Sequence, residues 1–164
     1  MPRFLYLMRH AQSADKQPGF SDKERDLTPT GIREALQIGG YLLQHKYFPD
    51  LILSSTAIRA KTTATQIVDT LKLVPDKIQL EEELFTASVR TFLAQIHDLD
   101  DSLNTVLCIG HNPTLSYLSE YITKAEIGDL PPAGLVVIQF HSKHWKEVGE
   151  GTGELIRLIT PEML

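Results

Sequence analysis

The sequence predicts an α/β protein, a three-layer α/β/α sandwich around a mainly parallel sheet with an antiparallel edge. Short apolar runs of strand length alternate with longer stretches whose apolar residues recur at helical spacing. Such alternation is typical of parallel strands joined by crossover helices that cover both faces of the sheet. The last two apolar runs are instead separated by a glycine-rich segment without a helical pattern, which indicates a hairpin at one edge.

Each strand prediction rests on a short apolar run bounded by polar or turn-forming residues. Strands are expected at 3–8, 51–54, 104–110, 135–141 and 154–159, with a weaker one near 77–80. Helices are expected near 30–46, 57–72, 87–98 and 113–122. Thr30 is a candidate N-cap of the first helix, and Asn112, followed by Pro113, is a candidate N-cap of the last. Residues 11–30 are polar and form a long connection, which we expect to lie over the cleft.

Length and composition predict a compact protein and argue against binding to nucleic acid or to a membrane. A chain of 164 residues can bury a full core, and nothing in it resembles a linker, so we expect one domain over 1–164. Sixteen basic and 21 acidic residues give a net charge of −5, which argues against broad nucleic-acid binding. No apolar run approaches a membrane span, and the N-terminus lacks the pattern of a signal peptide. We therefore expect a cytoplasmic protein that binds neither nucleic acid nor membrane.

Basic side chains follow three of the predicted strands at the point where each strand ends. Arg9 and His10 end the first run, His111 follows the run at 104–110, and Arg59 lies in the first turn of the helix after the run at 51–54. Because the carboxyl ends of parallel strands meet at one edge of a sheet, these four side chains are expected to surround one cleft. Two arginines and two histidines, with helix N-termini directed inward, predict an anion site.

Four segments, in this order, resemble the histidine phosphatase superfamily, which includes the cofactor-dependent phosphoglycerate mutases. Residues 9–11 are similar to its Arg-His-Gly signature, and Ser13 stands where the family has Thr or Ser. Residues 26–31 resemble the Leu-Thr-x-x-Gly segment before the first long helix. Residues 54–63 resemble the segment that carries the second phosphate-binding arginine, and Gly110-His111 matches the second histidine. The short length, without insertions, is most similar to phosphohistidine phosphatases of the SixA type.

The resemblance implies a phosphoglycerate mutase-like fold and a phosphatase that needs no metal and no cofactor. His10 would attack phosphorus and form a covalent phosphohistidine intermediate. Arg9 and Arg59 would stabilise the charge on the transferring phosphoryl oxygens, and His111 would donate to them. Ser13 and Lys16 are candidate substrate-binding residues in the following loop, although Lys16 is equally well explained as a solvated surface residue.

The segment after the acidic run at 81–83 departs from many members of the family. Where they carry Leu-x-Glu, with the glutamate as general acid, this chain has Thr86 two residues after Leu84. Threonine cannot protonate a poor leaving group at neutral pH, which favours a phosphohistidine or another activated phosphoryl substrate. A shifted register would bring Glu83 to the cleft instead, so the sequence leaves open whether Glu83 or no residue acts as general acid.

The favoured function is a phosphatase for phosphohistidine or a small phosphomonoester. Its partner would be a phosphorylated protein or a small phosphorylated metabolite. One alternative is a catalytically silent, phosphate-binding regulatory module that retains the pocket. The other is a phosphoglycerate mutase-type phosphotransferase, which needs a general acid and insertions that the sequence does not show.

Overall fold

A computed structural model describes residues 1–164 and contains one six-stranded sheet between two layers of helices. The strands, in chain order, are β1 (Arg3–Arg9), β2 (Leu51–Ser55), β3 (Ile78–Glu81), β4 (Thr105–Gly110), β5 (Leu135–Phe140) and β6 (Glu154–Ile159). The α-helices are α1 (Pro29–Gln44), α2 (Ile58–Leu71), α3 (Val89–His97) and α4 (Thr114–Thr123). All six predicted strands and all four predicted helices are confirmed, with boundaries that differ by at most two residues.

The sheet has the strand order β3-β2-β4-β1-β5-β6. The pairs β2–β3, β2–β4 and β1–β4 are parallel, whereas β5 runs antiparallel to both β1 and β6. The mainly parallel sheet with an antiparallel edge is therefore as predicted. Its consequence for the site is that β1, β4 and β2 are consecutive neighbours whose carboxyl ends lie side by side.

Alternate residues of β1 enter two separate apolar layers, because successive side chains of a strand point to opposite faces. Tyr6 and Met8 pack with residues of α1 and α2, and Leu5 and Leu7 pack with residues of α3 and α4. All four side chains are at most 2 % exposed. A strand buried on both faces has the continuous apolar sequence seen at residues 4–8, and it holds the residues that follow it rigidly.

Two predicted helix caps lie one or two residues from their observed positions. Thr28, not Thr30, caps α1, since its hydroxyl accepts a hydrogen bond from the Gly31 N–H at 3.0 Å and Pro29 occupies the first turn. In α4, Pro113 stands in the N-cap position rather than Asn112. The Asn112 Oδ1 still accepts from the Ser116 N–H at 3.3 Å, so the amide contributes to capping from one residue further out.

The start of α1 packs directly on the backbone that follows β1. The Thr28 N–H donates to the Gln12 carbonyl at 3.1 Å, and a Cβ added to Gly31 would lie 2.1 Å from that same oxygen. Only glycine permits this approach, and it ties the long connection between β1 and α1 to the residues just after His10.

We predict that Gly31→Ala destabilises the fold by roughly 1–3 kcal/mol, because the methyl group meets a backbone oxygen that cannot move alone. Urea unfolding measures the change. Gly40→Ala in the same helix is the matched control: nothing lies within 4 Å of its added Cβ, so the helix propensity of alanine should stabilise it by up to ~1 kcal/mol. Equal effects of the two substitutions would contradict the steric explanation.

Candidate active site

The four basic residues predicted to converge line one cavity of about 390 Å³ at the carboxyl ends of β1, β2 and β4. Arg9 pairs with Gly110 across the β1–β4 ladder, and the His10 N–H continues that ladder to the Gly110 carbonyl at 3.0 Å. His10 and His111 therefore meet directly, with ring centroids 5.1 Å apart. The complete lining is Arg9, His10, Ser13, Asp22, Arg25, Arg59, Phe85, Thr86, His111 and Asn112.

His10 is held in one tautomer with a free electron pair. Its Nδ1 lies 2.7 Å from the Ala11 carbonyl oxygen. Because a carbonyl only accepts, the proton of the neutral ring is on Nδ1 and the lone pair is on Nε2. Burial, followed by the charges of neighbouring cavity residues, lowers the pKa of His10 to about 3. His10 is therefore a neutral imidazole with an unprotonated Nε2 at physiological pH, as a nucleophile requires.

His111 is also neutral in the empty site. Burial first, and then the positive charges of Arg59 and Arg9, lower its pKa to about 4. Its Nε2 lies 2.8 Å from the Ser55 hydroxyl, which itself accepts a hydrogen bond from the Ala57 N–H at 3.2 Å. Because the Ser55 oxygen accepts from Ala57, its hydroxyl proton is available for a hydrogen bond to Nε2 of His111. The proton of the neutral imidazole is then on Nδ1. Ser55 thus orients His111 from the end of β2.

Arg9 has donor capacity that no protein group uses. Its Nη1 donates to the Leu130 carbonyl at 3.0 Å, but its Nε is buried without a hydrogen-bond partner. Burial lowers the pKa of Arg9, although an arginine remains charged throughout the physiological range. A buried, partly unpaired guanidinium at a cavity wall favours an anionic ligand.

Two cavity residues, Asp22 and Arg25, were not identified from the sequence. Arg59 donates from Nη1 to the Asp22 carbonyl at 2.7 Å and from Nη2 to its carboxylate at 3.0 Å. Arg25 donates to the other carboxylate oxygen of Asp22 and to the Ser13 hydroxyl, both at 2.8 Å. The hydrogen bonds from Arg25, and then those from Arg59, hold the pKa of the Asp22 carboxyl below its usual range.

The spacing of Asp22 and Arg25 is a sequence feature by which this pair could have been identified. Asp22 and Arg25 are three residues apart at a 3-10 helix (Asp22–Glu24), and side chains at this spacing lie on the same side of such a helix. An acid and a base at this spacing, in a connection expected to lie over the cleft, mark the part of the loop that reaches the site.

The charges of the cavity match a phosphoryl dianion. Three guanidinium groups and one carboxylate, with both imidazoles neutral, give a net charge of +2. Arginine presents paired N–H donors that suit the oxygens of phosphate. No group of three or more His, Cys, Asp or Glu side chains is placed to hold a metal ion.

Of the remaining predicted site residues, two line the cavity and two do not. Ser13 lines the cavity and accepts from Arg25, whereas Lys16 is exposed among residues 16–20 and is not in the lining. Thr86 lines the cavity. Glu83 does not, since it is exposed and accepts a hydrogen bond from the Gln95 amide at 2.7 Å.

No helix of the chain has the length and apolar character that a membrane crossing requires.

We predict that the two buried imidazoles make stability fall as the pH falls from about 6.5 towards 4. Unfolded histidines have pKa values near 6.5, so unfolding takes up protons over this range, whereas the folded rings, with pKa values of about 3 and 4, remain neutral. Urea unfolding between pH 7.5 and 4.5 measures this loss. The double variant His10→Asn/His111→Asn should lose less stability than the unaltered protein, by roughly 2–3 kcal/mol for each ring. Replacing the exposed His45 and His97 in the same way is the control, and an equal reduction there would contradict the assignment.

Comparison with known proteins agrees with this geometry. Residues 5–85 match the sequence model of the histidine phosphatase superfamily (branch 1). The chain is 32 % identical over 164 residues to an uncharacterized protein of Mycobacterium tuberculosis, a match that covers 94 % of this chain and 99 % of the relative. It is 28 % identical over 129 residues to the phosphohistidine phosphatase SixA of Escherichia coli, with 78 % of this chain and 77 % of SixA covered.

Solved structures give the same result. The crystal structure of a protein described as a putative phosphohistidine phosphatase SixA from Agrobacterium tumefaciens superposes with a TM-score of 0.84 and 29 % identity, over 98 % of this chain and 99 % of that one. SixA complexed with tungstate has a TM-score of 0.83 at 23 % identity, which shows the shared fold. The converging strand ends, the paired histidines and these similarities together establish that the chain belongs to the histidine phosphatase superfamily.

Proposed function

We propose that the protein hydrolyses an activated phosphoryl group, such as that of a phosphohistidine, through a covalent intermediate on His10. The observation that carries this proposal is the state of His10: a neutral ring with its Nε2 lone pair free, at the wall of a cavity with a net charge of +2. A nucleophile of this kind suits double displacement at phosphorus. The family membership and the SixA relatives support the same reaction.

In the first step the Nε2 of His10 forms a bond to phosphorus while the bond from phosphorus to the leaving atom breaks. A leaving nitrogen takes up a proton from solvent, whereas a phenolate leaves as the anion and is protonated, if at all, in solution. In the second step water attacks phosphorus, the bond to Nε2 breaks, and the water gives up a proton, so that the protons balance over the cycle. Since the transition state of phosphoryl transfer is loose, stabilising the three equatorial oxygens is the main task.

The cationic side chains supply that stabilisation. Arg9, Arg59 and Arg25 surround the cavity with guanidinium donors. A bound dianion also favours the imidazolium form of His111, since it opposes the positive charges that lower the pKa of this ring in the empty site. His111 can then donate a charged hydrogen bond to the phosphoryl group, which is stronger than a neutral one.

The kind of leaving group is limited because no carboxyl group in the lining can protonate it. Asp22 is the one carboxylate in the lining, and its pKa is held low by Arg25 and Arg59, so it is a poor proton donor at neutral pH. Glu83 lies outside the lining. Without a carboxylic acid to protonate it, an alkoxide departs slowly, whereas phenolate is stable as the anion and the ring of a phosphohistidine can take up its proton from solvent before it leaves. This favours phosphohistidine, in a protein or as a small molecule, over sugar or glycerate phosphates.

We predict that brief exposure to a phosphoryl substrate labels His10. Protein denatured in alkaline solution, in which phosphohistidine is stable, and analysed by mass spectrometry should carry one phosphoryl group, and His10→Ala should lose both label and turnover while it remains folded. Arg59→Ala should lower kcat/KM by about 10²–10³-fold, by analogy with the loss of one oxyanion donor.

His45→Ala is the control, because His45 is exposed and outside the cavity. A label that persists in His10→Ala would contradict the assigned nucleophile. Absence of turnover by the unaltered protein would favour a silent phosphate-binding module. Transfer to an acceptor alcohol instead of release of phosphate would favour a mutase.

We predict that Asp22→Asn tightens the binding of inorganic phosphate by about tenfold. The carboxylate occupies the Arg59 and Arg25 donors in the empty site and repels a dianion, and one removed charge at this range is worth on the order of 1–2 kcal/mol. Isothermal titration calorimetry measures the change. Asp26→Asn, an exposed neighbour outside the lining, is the control. Weaker phosphate binding by Asp22→Asn would show that this carboxylate acts mainly by positioning the two arginines.

A further inference from the structure

A second cavity of about 220 Å³ adjoins the phosphoryl cavity. Phe85, Thr86, His111 and Asn112 line both cavities, so the two adjoin at these four residues. The remaining lining of the second cavity is Leu84, Ala87, Phe92 and Thr114. A group bonded to a phosphorus atom next to His111 can therefore extend into this space.

The second cavity carries no charge that could bind an ionic group. No Asp, Glu, Lys or Arg lines it, and its one titratable residue, His111, is neutral in the empty site. Four of its eight lining residues are hydrophobic, and Phe85 and Ala87 supply the accessible apolar surface, since Leu84 and Phe92 are each only 1 % exposed. Burying a carboxylate here would cost free energy that no arginine or lysine of this lining offsets, whereas the faces of a ring can pack on Phe85 and Ala87.

Most polar atoms of this lining are already satisfied. The Asn112 amide nitrogen donates to the Asp129 carboxylate and to the Leu130 carbonyl, both at 2.9 Å. The Thr114 hydroxyl donates to the Ala87 carbonyl at 2.7 Å. A polyhydroxyl group such as a sugar would find few free partners, and the exposed hydroxyl of Thr86 is the polar group best placed to contact one heteroatom.

The cavity is also preformed. The hydrogen bond between Thr114 and Ala87 fixes the segment before α3 to the start of α4. Phe92 packs so closely on the end of β4 that a Cβ on Gly110 would lie 3.1 Å from its ring. The Phe85 ring meets His111 edge-on at 5.7 Å and lies 5.9 Å from the Arg59 guanidinium carbon. A ligand entering this space therefore does not have to order its walls.

From these contacts we infer that the second cavity is the leaving-group subsite and that it accepts a small, uncharged aromatic ring bonded to phosphorus through nitrogen or oxygen. This inference rests on the proposed function. The volume lies below that of pockets for drug-sized ligands, roughly 300–1,000 Å³, so a single ring is the size that fits. An imidazole or phenol ring combines apolar faces with at most two heteroatoms, one of them bonded to phosphorus. Phenolate departs as a stable anion, and the imidazole ring can be protonated from solvent, so neither needs a carboxylic acid in the site.

Ala87 provides a selective test, because it lines the second cavity and not the first. Ala87→Leu should fill the subsite and leave the phosphoryl cavity unchanged. Two substrates are compared: N-phosphoimidazole, whose leaving group is a ring, and phosphoramidate, whose leaving group is ammonia and needs no subsite. The ratio of kcat/KM for the first to the second should fall about ten- to a hundredfold in Ala87→Leu, the range expected when a pocket no longer fits its group. The turnover of phosphoramidate should stay within about twofold.

Ala94→Leu on α3 makes the same change outside both cavities and should preserve the ratio. If Ala87→Leu loses activity on both substrates, the smaller Ala87→Val carries the test with the same ratio. A ratio that does not change in the folded, active variant overturns the subsite. Failure of the unaltered protein to hydrolyse either substrate would instead overturn the proposed function, so the two failures are distinguishable.

Discussion

The parallel pairing of β1 with β4 is the constraint on which the site depends. Arg9 stands opposite Gly110 in this ladder, so the residues that follow, His10 and His111, leave the sheet at the same level and face each other. Because side chains alternate along a strand, a shift of the register by one residue would turn every side chain of β1 to the other face and place apolar groups where the polar ones now stand. Burial of β1 on both faces excludes such a shift.

That geometry brings several cationic side chains together in a partly buried cavity. Other features of the site reduce the free-energy cost of burying these like charges. Two imidazoles remain neutral because burial and the neighbouring guanidinium groups disfavour their protonation. Asp22 pairs with Arg59 and Arg25 in the empty site. The same arrangement leaves the empty cavity with a net charge of +2, which suits the dianionic substrate of the proposed function.

The segment around residues 84–87 contributes to both cavities, and under the proposed function it would separate binding of the phosphoryl group from binding of the group attached to it. Phe85 and Thr86 face both cavities, whereas Leu84 and Ala87 line the second cavity alone. The first cavity is cationic and the second is uncharged. Specificity for the leaving group can therefore change at Ala87 or its neighbours without any change in the residues that perform the chemistry.

Local pattern and motif order determined much of this protein from the sequence by itself. The alternation of elements, the two-sided burial of β1 and the positions of Arg9, His10, Arg59 and His111 at strand and helix ends all follow from periodicity and from the geometry of parallel sheets. Only the tertiary structure determined which residues of the connection between β1 and α1 reach the cavity. Asp22 and Arg25 reach the cavity, and Lys16 does not, because the loop path is set by contacts distant along the chain, among them those of Gly31 with Gln12 and of Arg59 with Asp22. The ionisation of the histidines was likewise a property of the fold, since burial and neighbouring charge exist only once the chain has closed around them.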